Sequence, residues 1–114
     1  MLPTSMLEIR YYVAAGGRQP FAAWFADLEP AARAKVTRAI ARLEQGNVSY
    51  VKSVGEGVLE YRIDFGPGYR VYFGRDGKAL VILLTGGTKK RQQRDIDAAH
   101  ACWQDYKQGK RGRR

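Results

Sequence analysis

The stretch from Val58 to Lys90 constrains this chain most. In its first run, apolar Leu59, Tyr61, Ile63 and Phe65 alternate with Glu60, Arg62 and Asp64. In its second, Tyr69, Val71 and Phe73 alternate with Arg70 and Tyr72. A period of two marks strands with one buried face. Both apolar sets must reach the same core, because a one-residue slip turns a whole set outward. An odd-length loop at Gly66-Pro67-Gly68 meets that demand, with Gly68 free to take a positive φ. Arg62, Asp64, Arg70 and Tyr72 then share the opposite face. A second hairpin is expected at Arg75-Asp76-Gly77-Lys78, and the unbroken apolar run Ala79 to Leu84 reads as a strand buried on both sides. It is expected to end at Thr85-Gly86-Gly87, with Lys89, Lys90 and Arg91 just beyond. The pattern predicts a curled sheet with arginines on one face and lysines at one strand end.

The rest of the chain supplies helices. Leu7 to Val13 reads as a first strand, broken by Gly16-Gly17. Pro20 opens a short helix whose Phe21, Trp24, Phe25 and Leu28 form one apolar stripe. Pro30 opens a longer helix to about Gln45, with Ala32, Val36, Ala39, Ile40 and Leu43 inward and Lys35, Arg38 and Arg42 on another face. That basic stripe is a solvated face, or a surface for an acidic partner or RNA phosphate. Residues 46 to 57 read as a connector. Gln92 to about Lys107 reads as a final helix, with Ile96, Ala99, His100, Trp103 and Tyr106 on one side. Residues 1–107 form one expected domain, and 108–114 a basic flexible tail. The whole reads as an α+β fold with about four strands, two N-terminal helices and a C-terminal helix.

Composition narrows the chemistry. Twenty Lys+Arg against 11 Asp+Glu give a formal net charge of +9, which favours nucleic acid or an acidic partner. A single cysteine, Cys102, excludes an internal disulfide and a thiolate zinc cage. A single histidine, His100, excludes a Ser-His-Asp triad and a His-His metal site; it reads as a packed residue. No cofactor and no metal are expected. No apolar run nears the roughly 20 residues that cross a bilayer, and no signal-peptide pattern opens the sequence, so a cytoplasmic protein is expected.

Such a surface suits breakage of RNA by its own 2′-hydroxyl. The protein must activate that hydroxyl, stabilise charge on a five-coordinate phosphorus and protonate the leaving oxygen. Arginine serves the second task, because its fork matches phosphate oxygens and stays charged. Losing one such donor typically costs about 3 to 4 kcal/mol in the barrier. A lysine moves protons if positive neighbours bring its pKa down from about 10.4. Lys89, Lys90 and Arg91 beside Arg62 and Arg70 supply such crowding. Plain phosphate binding, or salt bridging to Asp64 and an acidic partner, fits the same residues.

The strings 55–73 (Gly-Glu-Gly-Val-Leu-Glu-Tyr-Arg-Ile-Asp-Phe-Gly-Pro-Gly-Tyr-Arg-Val-Tyr-Phe), 83–96 (Leu-Leu-Thr-Gly-Gly-Thr-Lys-Lys-Arg-Gln-Gln-Arg-Asp-Ile) and Leu-Glu-Gln-Gly-Asn (43–47) resemble the HigB-type addiction module killer proteins. These belong to the RelE/ParE toxin superfamily and are related to phage-derived proteins. The resemblance covers about residues 7 to 107. It implies two N-terminal helices packed on a twisted antiparallel sheet. It also implies the toxin of a type II toxin–antitoxin pair, a helix-turn-helix antitoxin encoded by an adjacent gene, and cleavage of mRNA on the ribosome. Arg70 matches the superfamily arginine at the scissile phosphate, Arg62 a basic residue of the preceding strand, and Lys89 or Lys90 the basic residue after the last core strand. Lys52, Arg91, Gln92 and Arg94 flank these as RNA-binding candidates. The group usually carries Gly-Gly-Asp-Lys-Ser where this chain has Gly-Gly-Thr-Lys-Lys-Arg, which adds cations for phosphate. The tyrosine of RelE proper falls at Ile96, which leaves Tyr72 or a lysine as general base. The alternatives are a ParE-like toxin that binds DNA gyrase without catalysis, and a non-toxic RNA- or protein-binding module.

Overall fold

The computed structural model describes residues 6–112. The strands are β1 (Glu8–Tyr11), β2 (Val51–Ser53), β3 (Val58–Ile63), β4 (Tyr69–Asp76) and β5 (Leu80–Thr88). The helices are α1 (Pro20–Ala26), α2 (Pro30–Glu44) and α3 (Gln92–Gly112). Proline stands in the first turn of both α1 and α2, where its missing N–H costs nothing. The α+β class and the three helices follow the sequence reading, and the sheet corrects it. Among the described residues it has five strands in the order β1-β5-β4-β3-β2, with β1 parallel to β5 and every other pair antiparallel. β5 is buried on both faces and lies inside the sheet, second from one edge, so it needs a neighbour on each side, and β1 fills the second place. β2 lies in the stretch read as a connector. Three residues with only Val51 apolar show no alternation to detect.

The β3–β4 loop keeps the predicted parity. Ile63 pairs with Tyr69, so the odd-length loop runs over residues 64 to 68, two longer than the expected Gly66-Pro67-Gly68 and taking Asp64 and Phe65 out of the strand. Gly68 sits at φ 80° as the turn demands. Tyr61, Ile63, Val71, Phe73, Val81 and Leu83 all face the first core, where Phe21 of α1 and Val36, Ala39 and Leu43 of α2 cover them. The opposite face is not open. Ala99 and Trp103 of α3, with Ile96 partly buried beside them, lie across Val58, Tyr72, Ile82 and Leu84 in a second core. The apolar side predicted for this helix is what it buries. Its His100 is packed, with ring Nε2 donating to the Val54 carbonyl at 2.9 Å.

β5 runs past the Thr85-Gly86-Gly87 end expected for it, to Thr88. Leu84 and Thr85 together oppose Tyr72, a bulge that inserts one extra residue into β5. Beyond it, Gly86 faces α1 and Gly87 faces α3. A Cβ on Gly86 would enter the Trp24 ring, so this glycine serves close approach of a helix rather than a turn.

The far end of α3 is pinned to the sheet by polar contacts. Tyr12 Oη donates to Asp105 at 2.5 Å, and Asp76 accepts from Tyr106 Oη at 2.6 Å and from Lys110 Nζ at 2.5 Å. The helix therefore passes the boundary expected at Lys107, and Lys110 of the expected tail is held; residues 113 and 114 lie outside the described residues. The bond from Lys110, then that from Tyr106, holds the Asp76 carboxyl below the usual range. A lowered folded-state pKa contributes stability that is complete above the unfolded value, about 3.9, and is lost as pH falls from there through the lower folded-state value.

Two measurements test this packing. Gly86→Ala should destabilise the protein by about 1 to 3 kcal/mol in urea unfolding, whereas Gly109→Ala should stabilise it by about 0.5 to 1 kcal/mol, because that helical site has nothing within 4 Å of an added Cβ. Asp76→Asn should lower stability at neutral pH, and the gap from the unchanged protein should close as pH falls below about 4.

Candidate anion-binding site

Strand register assembles the site. Lys52 pairs with Glu60, and Glu60 with Tyr72, in one row across β2, β3 and β4. Arg62 pairs with Arg70, and Arg70 with Gly87, in the row beside it. Alternation brings these side chains to the face that α3 covers in part. At the centre lies Glu60, 1% exposed. Its Oε2 accepts from Tyr72 Oη at 3.0 Å and from Gln92 Nε2, in the first turn of α3, at 2.8 Å. Its Oε1 faces Arg70 Nε at 3.7 Å and Lys52 Nζ at 3.8 Å. Burying one charge alone is costly, and this carboxylate is surrounded by two cations and two neutral donors.

Arg70 is 6% exposed and its Nη1 donates to the Tyr69 carbonyl at 3.2 Å. Neither Glu60 Oε1 nor Arg70 Nε has a hydrogen-bond partner among the described residues. Their separation is too long for a hydrogen bond, so the guanidinium is attracted by the carboxylate but not saturated by it. Arg62 stands at the rim, half-exposed, with Nε 3.6 Å from Asp64 Oδ1. That pair is solvated and weak.

The turn after β5 completes the rim. Lys89, Lys90 and Arg91 form one exposed 3₁₀ turn, tied down by the Lys89 N–H donating to the Gly68 carbonyl at 2.8 Å. A Cβ on Gly68 would lie 3.3 Å from Lys89 Cβ and 3.5 Å from Arg70 Nη1, so the turn and the guanidinium converge over this glycine. Gly87 leaves room for Asp95 of α3, which a side chain there would strike. Burial pushes the Asp95 pKa up, while Arg94, Arg91 and the Thr88 backbone N–H pull against it.

The structure therefore brings Lys52, Arg62, Arg70, Tyr72 and Gln92 together around Glu60 and sets Lys89 beside Arg70. Lys90, Arg91 and Arg94 are exposed on the turn and the start of α3. The surroundings of Tyr72 argue against the general-base role expected for it. It is fully buried, and desolvation, then the Glu60 charge and hydrogen bond, push its pKa far up, so it stays protonated and donates to Glu60. Gln92 likewise spends its amide on Glu60. Sequence reading missed Glu60 itself. Its signal lay in parity, which puts Glu60 on the face of Arg62, Arg70 and Tyr72; its place against Tyr72 follows from the observed five-residue loop. Among the described residues, no group of three or more His, Cys, Asp or Glu stands close enough to hold a metal ion.

Two helices on one face of a mixed sheet, a third on the other, and a cationic rim around a buried arginine define a small α+β protein. Residues 23–103 match the family described as phage-derived protein Gp49-like (DUF891), and the chain belongs to that family, part of the RelE/ParE-like toxin group. An uncharacterized protein of Haemophilus influenzae (strain ATCC 51907 / DSM 11121 / KW20 / Rd) is 44% identical over 86 residues, covering 75% of this chain and 87% of the relative.

The Glu60 cluster makes a stability prediction. Glu60→Gln should cost about 3 to 5 kcal/mol by leaving Arg70 buried without its counter-charge, and Tyr72→Phe about 1 to 3 kcal/mol. Urea unfolding of the double variant should show a loss that departs from the sum of the two single losses, because both changes act on the same Tyr72–Glu60 contact.

Proposed function

We propose that this chain is the toxin of a type II toxin–antitoxin pair, of the HigB type, and that it cleaves mRNA on the ribosome without a cofactor. The observation that supports this most is the convergence of Arg70, Arg62, Lys52 and Lys89 on one end of the sheet, with Arg70 held in place by Glu60. A scissile phosphate set against the Arg70 fork gains charge-assisted bonds that strengthen as phosphorus becomes five-coordinate. The adjacent 2′-hydroxyl attacks phosphorus, its proton passes to a base, and the bond to the 5′-oxygen breaks as that oxygen is protonated. A cyclic phosphate and a 5′-hydroxyl result. With Tyr72 locked as a donor, the proton carriers are drawn from Lys89 and Lys90 on the exposed turn after β5, of which Lys89 meets Arg70 over Gly68. Glu60 acts through Arg70, as its positioning residue.

The partner follows from the charge. The antitoxin, encoded next door, meets this cationic surface with acidic residues, and its binding weakens as salt rises. Among the described residues no helix is long and apolar enough to cross a membrane.

Primer extension on mRNA from translating ribosomes tests the activity. The protein should generate new 5′ ends. Arg70→Lys, which keeps the charge opposite Glu60 but loses the fork, and Arg62→Ala, on an exposed rim, should each retain a cooperative unfolding transition. Arg70→Lys should lower cleavage about 100-fold. Intact transcripts with a DNA-damage response would point to gyrase instead, and undiminished cleavage by folded Arg70→Lys would remove Arg70 from the chemistry.

A further inference from the structure

A second basic groove lies on the other side of Arg62, between α2 and the free end of β3. It holds about 210 Å³ and is lined by Lys35, Arg38 and Arg42 of α2 with Tyr50, Tyr61 and Arg62. The three helix cations stand at i, i+3 and i+7, hence on one face. Among the described residues none of the three makes an ion pair, and Lys35 lies 5.1 Å from the Phe65 ring centroid. The acid at the groove is Asp64, already beside Arg62. Tyr61 lines the groove at 2% exposure, and its buried phenol oxygen has no partner among the described residues. Tyr50 is 47% exposed, with its ring 6.0 Å from that of Tyr61.

We infer that this groove is a second RNA subsite, which grips the single strand on one side of the bond held at Arg70. The inference rests on the RNA reading above and extends it. Two features favour a nucleic acid over an acidic peptide. Tyr50 and Arg62 line both this groove and the smaller cleft of about 140 Å³ at Lys52 and Glu60, so one strand crosses from the Arg70 site onto α2 without leaving cationic surface. The exposed Tyr50 ring stands among those cations, the pairing of stacking platform and phosphate-binding groups that single-stranded RNA uses. Arg38, Arg42 and Lys35 would take successive phosphates, the Tyr61 phenol a phosphate or ribose oxygen, and Tyr50 a base.

Fluorescence anisotropy with a short single-stranded 2′-O-methyl oligoribonucleotide tests this, since that probe lacks the hydroxyl needed for its own cleavage. Arg38→Ala/Arg42→Ala, both on an exposed helix face, should bind more weakly. The slope of log affinity against log salt should flatten by about 1.4, at about 0.7 for each phosphate that is no longer neutralised. Tyr50→Ala should weaken binding about tenfold with little change in slope. Arg75→Glu, remote from the groove, should bind nearly as the unchanged protein does, and circular dichroism should be the same for all. Groove variants that keep full affinity and slope, while Arg62→Ala loses both, overturn the subsite and leave the Arg70 reading standing. An oligoglutamate peptide that binds more tightly than the oligonucleotide, and fails with the same variants, also overturns it, in favour of a protein partner. Normal subsite behaviour without any mRNA cleavage would uphold this inference and refute the enzymatic one.

Discussion

The attraction between a buried carboxylate and a buried guanidinium governs this structure. Glu60 and Arg70 are almost wholly removed from water, yet they stand too far apart to satisfy each other. Isolated, either charge would be untenable in the interior. Three further groups make the arrangement tolerable: Tyr72 from β4, Gln92 from α3 and Lys52 from β2. The carboxylate thus ties together three strands and a helix. The arginine it holds is fixed in place, and among the described residues its Nε has no hydrogen-bond partner.

The same cluster explains the asymmetry of the two sheet faces. The face under α1 and α2 is apolar from strand to strand, a conventional core. The face under α3 changes character along its length, from Val58, Ile82 and Leu84 beneath Trp103 to Glu60 and Arg70 where the helix begins. α3 is therefore roof and ligand at once. Its apolar side seals most of the face, and its first residue donates a hydrogen bond to the carboxylate. The glycine at 87, which admits Asp95, lets the helix start close enough to do so.

Much of this was legible in the sequence. Alternation and loop parity in 58–73 fixed which residues share a face; the Arg62–Arg70 pairing needs the five-residue loop, since the three-residue loop expected there sets Arg62 against Tyr72. The apolar stripes of α1, α2 and α3 were equally plain, because each follows the helical period. Three things were not. The parallel placement of β1 depends on which edge of β5 remains unpaired, a tertiary fact with no local signal. β2 is too short to show a period. The burial of Tyr72 depends on where α3 lies, and a strand pattern reports which face a residue takes but not what covers that face. Glu60 escaped for a related reason: alternation marks it as polar, and only its neighbours across two strands make it central.

Gly86 and Gly87 point to opposite sides of β5, and at each a helix-borne side chain, Trp24 or Asp95, presses directly on the strand. At that place the molecule is only one backbone thick between its two layers. Sequence drift there must be paired. A descendant that acquires a side chain at 86 has to shrink the indole opposite, and one that acquires a side chain at 87 has to surrender the carboxyl beneath the roof helix. These two positions and their counterparts should therefore vary together or not at all.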